Sequence, residues 1–386
     1  MLAFKLAFKN LIGAGLRTWL TVFVLSISFV LIIFYNGMMD GWNLQATNDT
    51  IDWEIGQGQY LHENYDKYDP FTLKDAHSKI PEELNNKNNV PILISQGTIF
   101  PEGRMFSLLI KGIPIDQEIL QIPTGDFQLE EGIIPVIIGK YMAKTAKLKE
   151  NDYVKLQWRD KGGTFDALDV KVVKVFDCNV PSIDNAQMWL PLSILQEMKG
   201  LEGEASIIVY GEESESRKEY TGWVFNDHDA LLADIQEMVK SKKSGASVIY
   251  LILLLIALLA IFDTQILSIF RRQKEIGTYI AMGMTRRQVV GLFTVEGGTH
   301  SILAVLMGAV YGIPLFIYMA KKGIAMPIST EEFGIAMAER MFSTYSPALV
   351  VGTILFIVIA ATVVSYLPAR KISKLNPTDA LKGKVQ

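Results

Sequence analysis

The chain has 386 residues and a formal net charge of −4, and 49% of its residues are hydrophobic against 20% charged. Its mean hydropathy of +0.23 is high for a soluble protein of this length, so membrane-spanning segments are the first feature to look for. Basic residues crowd the ends of the apolar segments rather than one folded surface, which argues against nucleic acid as a partner.

Four apolar runs are long enough to cross a membrane: Trp19–Met39, Val248–Phe270, Val289–Ala320 and Pro347–Leu367. At a rise of about 1.5 Å per residue, each covers a hydrocarbon core about 30 Å thick. The first run is longer than the apolar part of a secretion signal and no small-residue cleavage site follows it, so we interpret it as a retained anchor. The sequence therefore predicts transmembrane helices at residues 19–39, 246–270, 291–320 and 347–367.

Lys and Arg beside the spans predict the orientation, because positive flanks resist translocation. If all four runs cross, three basic clusters share one side, which should be the cytoplasm. Residues 40–245 and the loop 321–346 then lie outside. Lys321, Lys322 and Arg340 in that loop are exceptions to the expected scarcity of Lys and Arg there, and Glu331, Glu332 and Glu339 accompany them. The three clusters are Lys5, Lys9 and Arg17; Arg271, Arg272, Lys274, Arg286 and Arg287; and Arg370, Lys371, Lys374, Lys382 and Lys384.

Residues 1–18 precede the first span and predict a helix lying flat at the cytoplasmic surface. Phe4, Phe8 and Leu11 share one helical side, and Lys5 and Lys9 lie on another. A plain extension of the span, with two lysines reaching towards water, is the alternative and remains open.

The segment between the first two spans, residues 40–245, is large enough for its own core and predicts an α+β domain, for which two lobes are one arrangement. Runs rich in Val, Ile and aromatic residues alternate with turn residues, and Pro81–Asn89 is the best candidate for an internal linker. The predicted strands are Val90–Phe100, Met105–Ile113, Ile133–Ile138, Tyr153–Trp158, Val170–Phe176 and Ser206–Tyr210, and the predicted helices are Lys140–Leu148 and Leu192–Lys199.

Helical spacing returns at the end of this domain. Apolar residues recur through His228–Lys243, which leads almost directly into the second span. Only Ser244 and Gly245 interrupt the pattern, so we predict one long helix with a flexure at that pair.

Sequence motifs for catalysis are lacking. There is no GxxxxGK[ST] phosphate loop, so an ATP-driven assembly would need another chain to bind the nucleotide. The histidines have no metal-ligand spacing, and the single cysteine, Cys178, is best interpreted as a buried thiol. We therefore predict that this chain is not an enzyme and binds neither a cofactor nor a metal.

Three ionisable residues fall inside the predicted spans: Asp263, Glu296 and His300. Glu296 and His300 are four residues apart and share a helix face, which could serve a proton path. The stronger interpretation is that all three lie near the cytoplasmic interface, where water and neighbouring helices satisfy them. Gly308 and Gly312 have the small-xxx-small spacing that lets a helix approach another span or another subunit.

The segment 271–290 is short and basic between two spans. A helix over Lys274–Val290 would align Ile276, Tyr279, Ile280 and Gly283, with Arg286 and Arg287 at its end. It is too short and too charged to cross a membrane and has a shape suited to docking in the groove of a partner. A solvated basic loop is the other interpretation, and periodicity does not decide between them.

Recognisable motifs occur along the whole chain. The strongest begins at Phe270 and includes Glu275-Ile276-Gly277, Ala281-Met282-Gly283, Arg286-Arg287-Gln288 and Glu296-Gly297. Others occur at Ala7-Phe8-Lys9-Asn10-Leu11, at Ile138-Gly139-Lys140 with Asp152-Tyr153-Val154, and at Leu367-Pro368-Ala369-Arg370 with Pro377 and Ala380-Leu381. Together these motifs resemble the FtsX-like permease family, with Met284 where the family often has Ala.

The resemblance implies a permease subunit of a MacB-type ABC transporter in the bacterial inner membrane. In that family a separate ATPase dimer binds ATP and Mg, two permease subunits pair, either two copies or a copy with a paralogue, and the large domain lies in the periplasm. The short cytoplasmic helix receives the motion of the ATPase; the residues that match it here are Lys274, Glu275, Ile276, Gly277, Ile280, Ala281, Gly283, Arg286 and Arg287.

The family's lipoprotein-releasing members make extraction of lipoproteins or other amphiphiles the leading expectation. Peptide or drug export with a periplasmic adaptor or carrier and an outer-membrane channel is an alternative. Regulation of cell-wall hydrolases, or sensing of antimicrobial peptides, is another.

Overall fold

The computed structural model describes residues 16–127, 132–211, 218–325 and 340–374. Most of the predicted interfacial helix, the loop glutamates Glu331, Glu332 and Glu339, and the tail motif from Pro377 onwards lie outside these residues. The described chain divides into a helical unit, with residues 16–43, 238–324 and 341–374, and a strand-rich unit, with residues 44–127, 132–211, 218–237, 325 and 340.

Four long helices carry the apolar runs, and the described chain has four helices long and apolar enough to cross a membrane, as the sequence predicts. The second of them shows no break at Ser244–Gly245, so the predicted long helix is confirmed and the flexure is not seen. The helix bounds are α1 Leu16–Thr50, α2 Lys140–Ala146, α3 Pro181–Asp184, α4 Leu192–Lys199, α5 His228–Arg271, α6 Gln273–Ala281, α7 Arg286–Lys322 and α8 Pro347–Ala369.

The prediction of one helix over Lys274–Val290 is wrong. Helix α6 ends at Ala281, and Gly283 has a φ of +97°, a left-handed conformation that favours glycine and stops the helix. Thr285 then begins α7 with a capping box: its hydroxyl accepts from the Gln288 amide, and its own amide donates to the Gln288 side chain. Arg286 and Arg287 therefore belong to the first turn of α7.

Glycines bring the helices of this unit together. A Cβ at Gly312 would lie 3.0 Å from Val30, and one at Gly308 would lie 3.4 Å from the same side chain, so both glycines face α1. Gly297 is tighter still, since a Cβ there would lie 2.2 Å from the Ser365 hydroxyl on α8. The apolar core around these contacts includes Val22, Leu25, Phe29, Leu254, Ile261, Ala304, Ile357 and Ala361.

The strand-rich unit contains a closed barrel. The strand bounds of the described chain are β1 Gly58–His62, β2 Ser78–Lys79, β3 Asn89–Ile99, β4 Phe106–Ile113, β5 Ile134–Gly139, β6 Tyr153–Arg159, β7 Phe165–Phe176, β8 Gln187–Pro191, β9 Glu204–Ala205, β10 Ile207–Tyr210, β11 Trp223–Asn226, β12 Ile324–Ala325 and β13 Arg340–Met341. Around the barrel, β3 pairs with β4, β4 with β8, β8 with β5, β5 with β7, β7 with β6, and β6 again with β3. Strands β10, β1 and β11 extend the sheet outward from β3.

Alternation along the strands fills the barrel. In β6, Val154, Leu156 and Trp158 are buried, whereas Tyr153 and Lys155 are exposed, which is the period-2 pattern of a strand with one face on a core. All six predicted strands and both predicted helices occur within a few residues of their bounds, so the mixed α/β architecture is confirmed. Its position outside the membrane stays a prediction.

The sequence missed β1, β8 and β11. It also proposed Pro81–Asn89 as a linker between lobes, which is wrong. In the structure this segment joins β2 to β3, and Asn89 is buried with its amide bonded to the Leu84 carbonyl (3.1 Å), so it is a packed connection beside a continuous sheet.

Candidate functional site

The segment from Arg271 to Thr285 forms the connection between α5 and α7, with α6 as its short middle helix. Arg271 ends α5, and Arg272 occupies the N-cap position of α6 in a non-helical conformation (φ −105°, ψ 20°). This single residue turns the chain from one long helix into the short one.

The Arg272 side chain clasps the connection together. Its Nη1 donates to both carboxylate oxygens of Glu296 on α7, at 2.8 Å each, and its Nε donates to Glu275 on α6 at 2.7 Å. Its guanidinium carbon lies 4.8 Å from the centre of the Phe293 ring. One side chain thus joins the end of α5, the first turn of α6 and the inner face of α7.

Burial makes this ion pair more than a surface contact. The Arg272 and Glu296 side chains are 18% and 9% exposed. Desolvation alone would lower the pKa of Arg272, but the nearby Glu296 charge and the hydrogen bonds to Glu275 and Glu296 outweigh it, so its pKa is raised. Removing one partner of such a pair leaves the other charge buried and typically costs about 3–5 kcal/mol.

The apolar side of α6 faces the chain's own core. Ile276 is fully buried with Val289, Phe293 and Ile372, Gly277 is also buried, and Tyr279 and Ile280 are half-buried beside them. The prediction that this apolar stripe is offered to a partner is therefore wrong for Ile276.

The exposed side of α6 carries charged, polar and small side chains and ends at one exposed methionine. We call Lys274, Glu275, Thr278, Ala281 and Met282 the outer face of α6; Met282 is 69% exposed. Gly283, Arg286 and Arg287 are exposed in the turn and helix start that follow. A partner that approaches this connection meets these side chains.

The three ionisable residues inside the spans have different environments. The Glu296 carboxylate turns to Arg272, whereas the His300 Nδ1 donates to the carbonyls of Glu296 (3.1 Å) and Gly297 (3.3 Å). These contacts account for both residues without a proton path. Asp263 lies on an exposed face of α5. Within the described ranges, no three His, Cys, Asp or Glu side chains are grouped so that they could hold a metal ion.

Arg272 was named only as a basic flank in the sequence, and its role in the clasp was missed. A signal existed, because a carboxylate inside a span needs a cation at the same depth, and Arg272 lies at the same end of the helices as Glu296. No local signal marked Gly37 and Gly41, whose Cβ positions would meet the Tyr345 ring (2.3 Å) and the Phe342 carbonyl oxygen (1.8 Å).

Known proteins resemble both parts of the chain. The FtsX-like permease C-terminal family matches residues 247–377. An uncharacterized ABC transporter permease of Methanocaldococcus jannaschii is 27% identical over 52% of this chain and 51% of its own length. The macrolide export ATP-binding/permease protein MacB of Mannheimia succiniciproducens is 23% identical over 83% of this chain and 42% of its own length.

The chain spans about half or less of the length of these curated relatives. Among solved structures, the extracellular domain of the noncanonic ABC-type transporter YknZ from Gram-positive bacteria aligns with 47% of this chain and 94% of its own, at 17% identity and a TM-score of 0.25, a value too low to establish a shared fold. The family match includes α6 and the Arg272–Glu296 clasp, and the resemblance seen in the motifs is confirmed: residues 247–377 match an FtsX-like permease domain, and the chain is a membrane protein similar to ABC transporter permeases.

Proposed function

We propose that this chain is the permease subunit of a MacB-type ABC transporter in the bacterial inner membrane. A separate ATPase dimer moves α6, and the motion reaches the strand-rich unit in the periplasm, where it extracts lipoproteins or other amphiphiles from the outer leaflet. The observation that carries the proposal is the Arg272 clasp, which ties an exposed short helix to the ends of two long apolar helices.

The clasp makes α6 suitable for receiving force. A helix with one buried side and an ion pair at its N-cap residue cannot swing freely, so a push on its outer face moves α5 and α7 with it. Helix α5 is continuous over 44 residues, about 66 Å at the usual rise. A helix of that length carries a displacement from one end to the other.

The proposals for the energy source and for the cargo have different support. The relatives with ATP-binding/permease in their names support an ATP-driven assembly, with ATP and Mg bound outside the residues described for this chain and with a second permease copy or paralogue completing the dimer. The names of those relatives also state macrolide export, which favours one second candidate, a peptide or drug exporter that works with a periplasmic adaptor.

The coupling role is tested on the outer face of α6. In proteoliposomes that hold this chain and its ATPase partner, Ala281→Asp with Met282→Asp should lower transport-linked ATPase stimulation at least about tenfold, because one desolvated charge at an interface costs more than about 1.4 kcal/mol. The melting temperature should stay within a few degrees of wild type, since both side chains are exposed.

Ser241→Asp is the matched control, an added acid on an exposed position near the other end of the apolar part of α5. It should leave stimulation unchanged. Full stimulation in the α6 variant would remove the coupling role. Release of a fluorescent lipoprotein from the same vesicles, compared with export of a macrolide, then separates the two candidate cargoes.

A further inference from the structure

Five lysines lie at the end of the helical unit opposite α6: Lys240, Lys242 and Lys243 on α5, and Lys321 and Lys322 on α7. All except Lys243 are exposed, and Lys243 is half-buried in an ion pair with Asp40 of α1. We call these five residues the lysine collar. Lysine is disfavoured at the side of a membrane to which this end is assigned, so its accumulation here needs a physical reason.

Contacts with α1 place the five lysines at one level. Lys243 pairs with Asp40, and the Lys242 ammonium lies 4.7 Å from the centre of the Trp42 ring. On α7, the Phe316 ring packs at a tilt against Tyr345 (4.6 Å between centroids), and the same Tyr345 ring fills the space over Gly37. Lys321 and Lys322 lie about one and a half turns beyond Phe316, which brings them to the level of Trp42, about one and a half turns beyond Gly37.

Apolar stripes lead up to the collar on both helices. On α7, Val310, Ile313 and Ile317 are 78%, 53% and 51% exposed, and Lys321 follows at the same helical spacing. On α5, Val248, Ile249 and Leu251 are 54–60% exposed directly beyond the three lysines. An exposed apolar stripe that ends in a cation is complementary to a lipid molecule: the stripe matches the acyl chains, and the cation matches an anionic headgroup.

Aromatic rings fix the depth of the lysines. Lys242 lies over Trp42, and Lys322 lies 5.3 Å from the centre of the Tyr318 ring. Trp and Tyr prefer the headgroup level of a bilayer, and Lys beside them extends its ammonium towards the phosphates. The collar is therefore at the depth of phospholipid phosphates rather than in bulk water.

We infer that the lysine collar binds the phosphate-bearing headgroups of anionic phospholipids, whose acyl chains cover the exposed stripes of α5 and α7. The binding holds a ring of anionic lipid around this end of the helices. It does not depend on the proposed transport function, because it needs neither ATP nor a partner chain.

The test measures lipid selectivity of the full chain in phosphatidylcholine vesicles that contain spin-labelled phosphatidylglycerol or spin-labelled phosphatidylcholine. The motionally restricted fraction of each label gives the preference for the anionic lipid. In Lys240→Gln/Lys242→Gln/Lys321→Gln/Lys322→Gln this preference should fall at least about threefold, since each basic residue near an anionic surface is worth up to about fivefold. Lys243 is kept so that Asp40 retains its partner.

Two further variants separate charge from packing. The same four positions changed to Arg should keep the preference, and four exposed lysines of the strand-rich unit changed to Gln (Lys87, Lys149, Lys155 and Lys161) should keep it as well. If the fourfold Gln variant fails to insert, Lys321→Gln/Lys322→Gln should still lose part of the preference.

The preference should also weaken as salt rises from about 0.05 to about 0.5 M. An unchanged preference in the collar variant, or an equal loss in the strand-rich control, would overturn the inference. So would displacement by about 10 mM inorganic phosphate in wild type, because it would show a site for free anions rather than for lipid.

Discussion

In the strand-rich unit, three buried polar side chains, Lys111, Asp184 and Ser206, bond to backbone groups more than 40 residues away in the sequence, whereas in the helical unit most buried polar side chains bond within their own helix. The Asp184 carboxylate accepts from the amides of Tyr141 and Met142 at 2.9 Å each, across more than 40 residues. The hydroxyls of Thr362 and Ser365, in contrast, donate to carbonyls four residues back on α8, at 2.7 Å each.

The difference follows from what each environment supplies. In water, burial of apolar surface drives the barrel together, and distant polar bonds then fix one arrangement. Between helices in lipid that drive is absent, and bonds made inside one helix do not select its neighbour. Close approach at glycines and a few polar pairs between helices, such as Arg272–Glu296 and Lys243–Asp40, therefore carry the contacts of the helical unit.

Gly297→Ala is expected to lower stability the most, because it prevents the close approach of α7 and α8. The new Cβ would lie 2.2 Å from Ser365 Oγ and 2.4 Å from Ser365 Cβ, so α7 and α8 would have to separate. We expect a loss of more than about 3 kcal/mol, or no folded protein, in thermal unfolding of the detergent-purified chain.

Gly291→Ala on the same helix is the control, because no heavy atom lies within 4 Å of its Cβ position. It should be neutral or stabilise by up to about 1 kcal/mol. Adding Ser365→Gly to Gly297→Ala should restore part of the stability. Equal melting temperatures for the two alanine variants would contradict this account.

Asp184→Ala tests the opposite strategy, a distant polar bond in the strand-rich unit. The variant leaves two amides at the start of α2 without their acceptor in a site where Asp184 is 2% exposed. Loss of a cap and of a buried acceptor together should cost about 2–3 kcal/mol. Asp177→Ala removes only the exposed pair with Lys140 and should cost less than about 1 kcal/mol in the same thermal measurement.

Local patterns predicted most of the longer helices and strands, because each of these elements repeats its apolar residues with a period that nearby residues reveal. Leu192–Lys199 was predicted with its observed bounds, and β6 was found within one residue. The sequence also contained a signal for the new helix start after α6, since Thr285 with Gln288 three residues later forms a capping box. The prediction of one helix over Lys274–Val290 followed the continuous helical spacing instead.

Contacts between distant segments were not readable. The barrel closes where β3 meets β6, with Gly97 opposite Trp158, and no local pattern specifies a register across about 60 residues. Gly41 meets the Phe342 carbonyl about 300 residues later. In the site, Ile276 was identified as important from its motif, but only the structure shows that it is buried rather than offered to a partner.

Lys111→Met tests a buried polar side chain of the strand-rich unit through the pH dependence of stability. Burial lowers the pKa of Lys111 from 10.5 to about 8, with Glu54 acting in the opposite direction, and its ammonium donates to the Ser182 carbonyl at 2.8 Å. Between about pH 8 and pH 10.5 the unfolded chain holds a proton that the folded chain has lost, so stability rises with pH in that window. Below it the contribution is constant.

The free energy of unfolding of wild type minus that of Lys111→Met should therefore rise by up to about 1.4 kcal/mol per pH unit above about pH 8. Below about pH 8 this difference should not change with pH. Unfolding is followed by denaturant titration between about pH 7 and pH 10. Other lysines cancel in the difference. Parallel curves across the whole range would show that Lys111 is not buried as a cation.

Thr285→Ala should have the smallest effect and the most local one. The capping box supplies two bonds at the start of α7, from the Gln288 amide (3.3 Å) and to the Gln288 side chain (2.8 Å), and loss of such a cap costs about 1 kcal/mol. Hydrogen exchange of the amides at residues 286–289 should speed up about fivefold, while exchange in the rest of α7 stays unchanged. Thr278→Ala removes a hydroxyl that bonds only to the Lys274 carbonyl of its own helix (2.9 Å), so exchange there should not speed up. If Thr285→Ala instead loosens α7 as far as Glu296, the turn and the clasp form one cooperative unit, and the helical unit depends on local caps as much as on close approach.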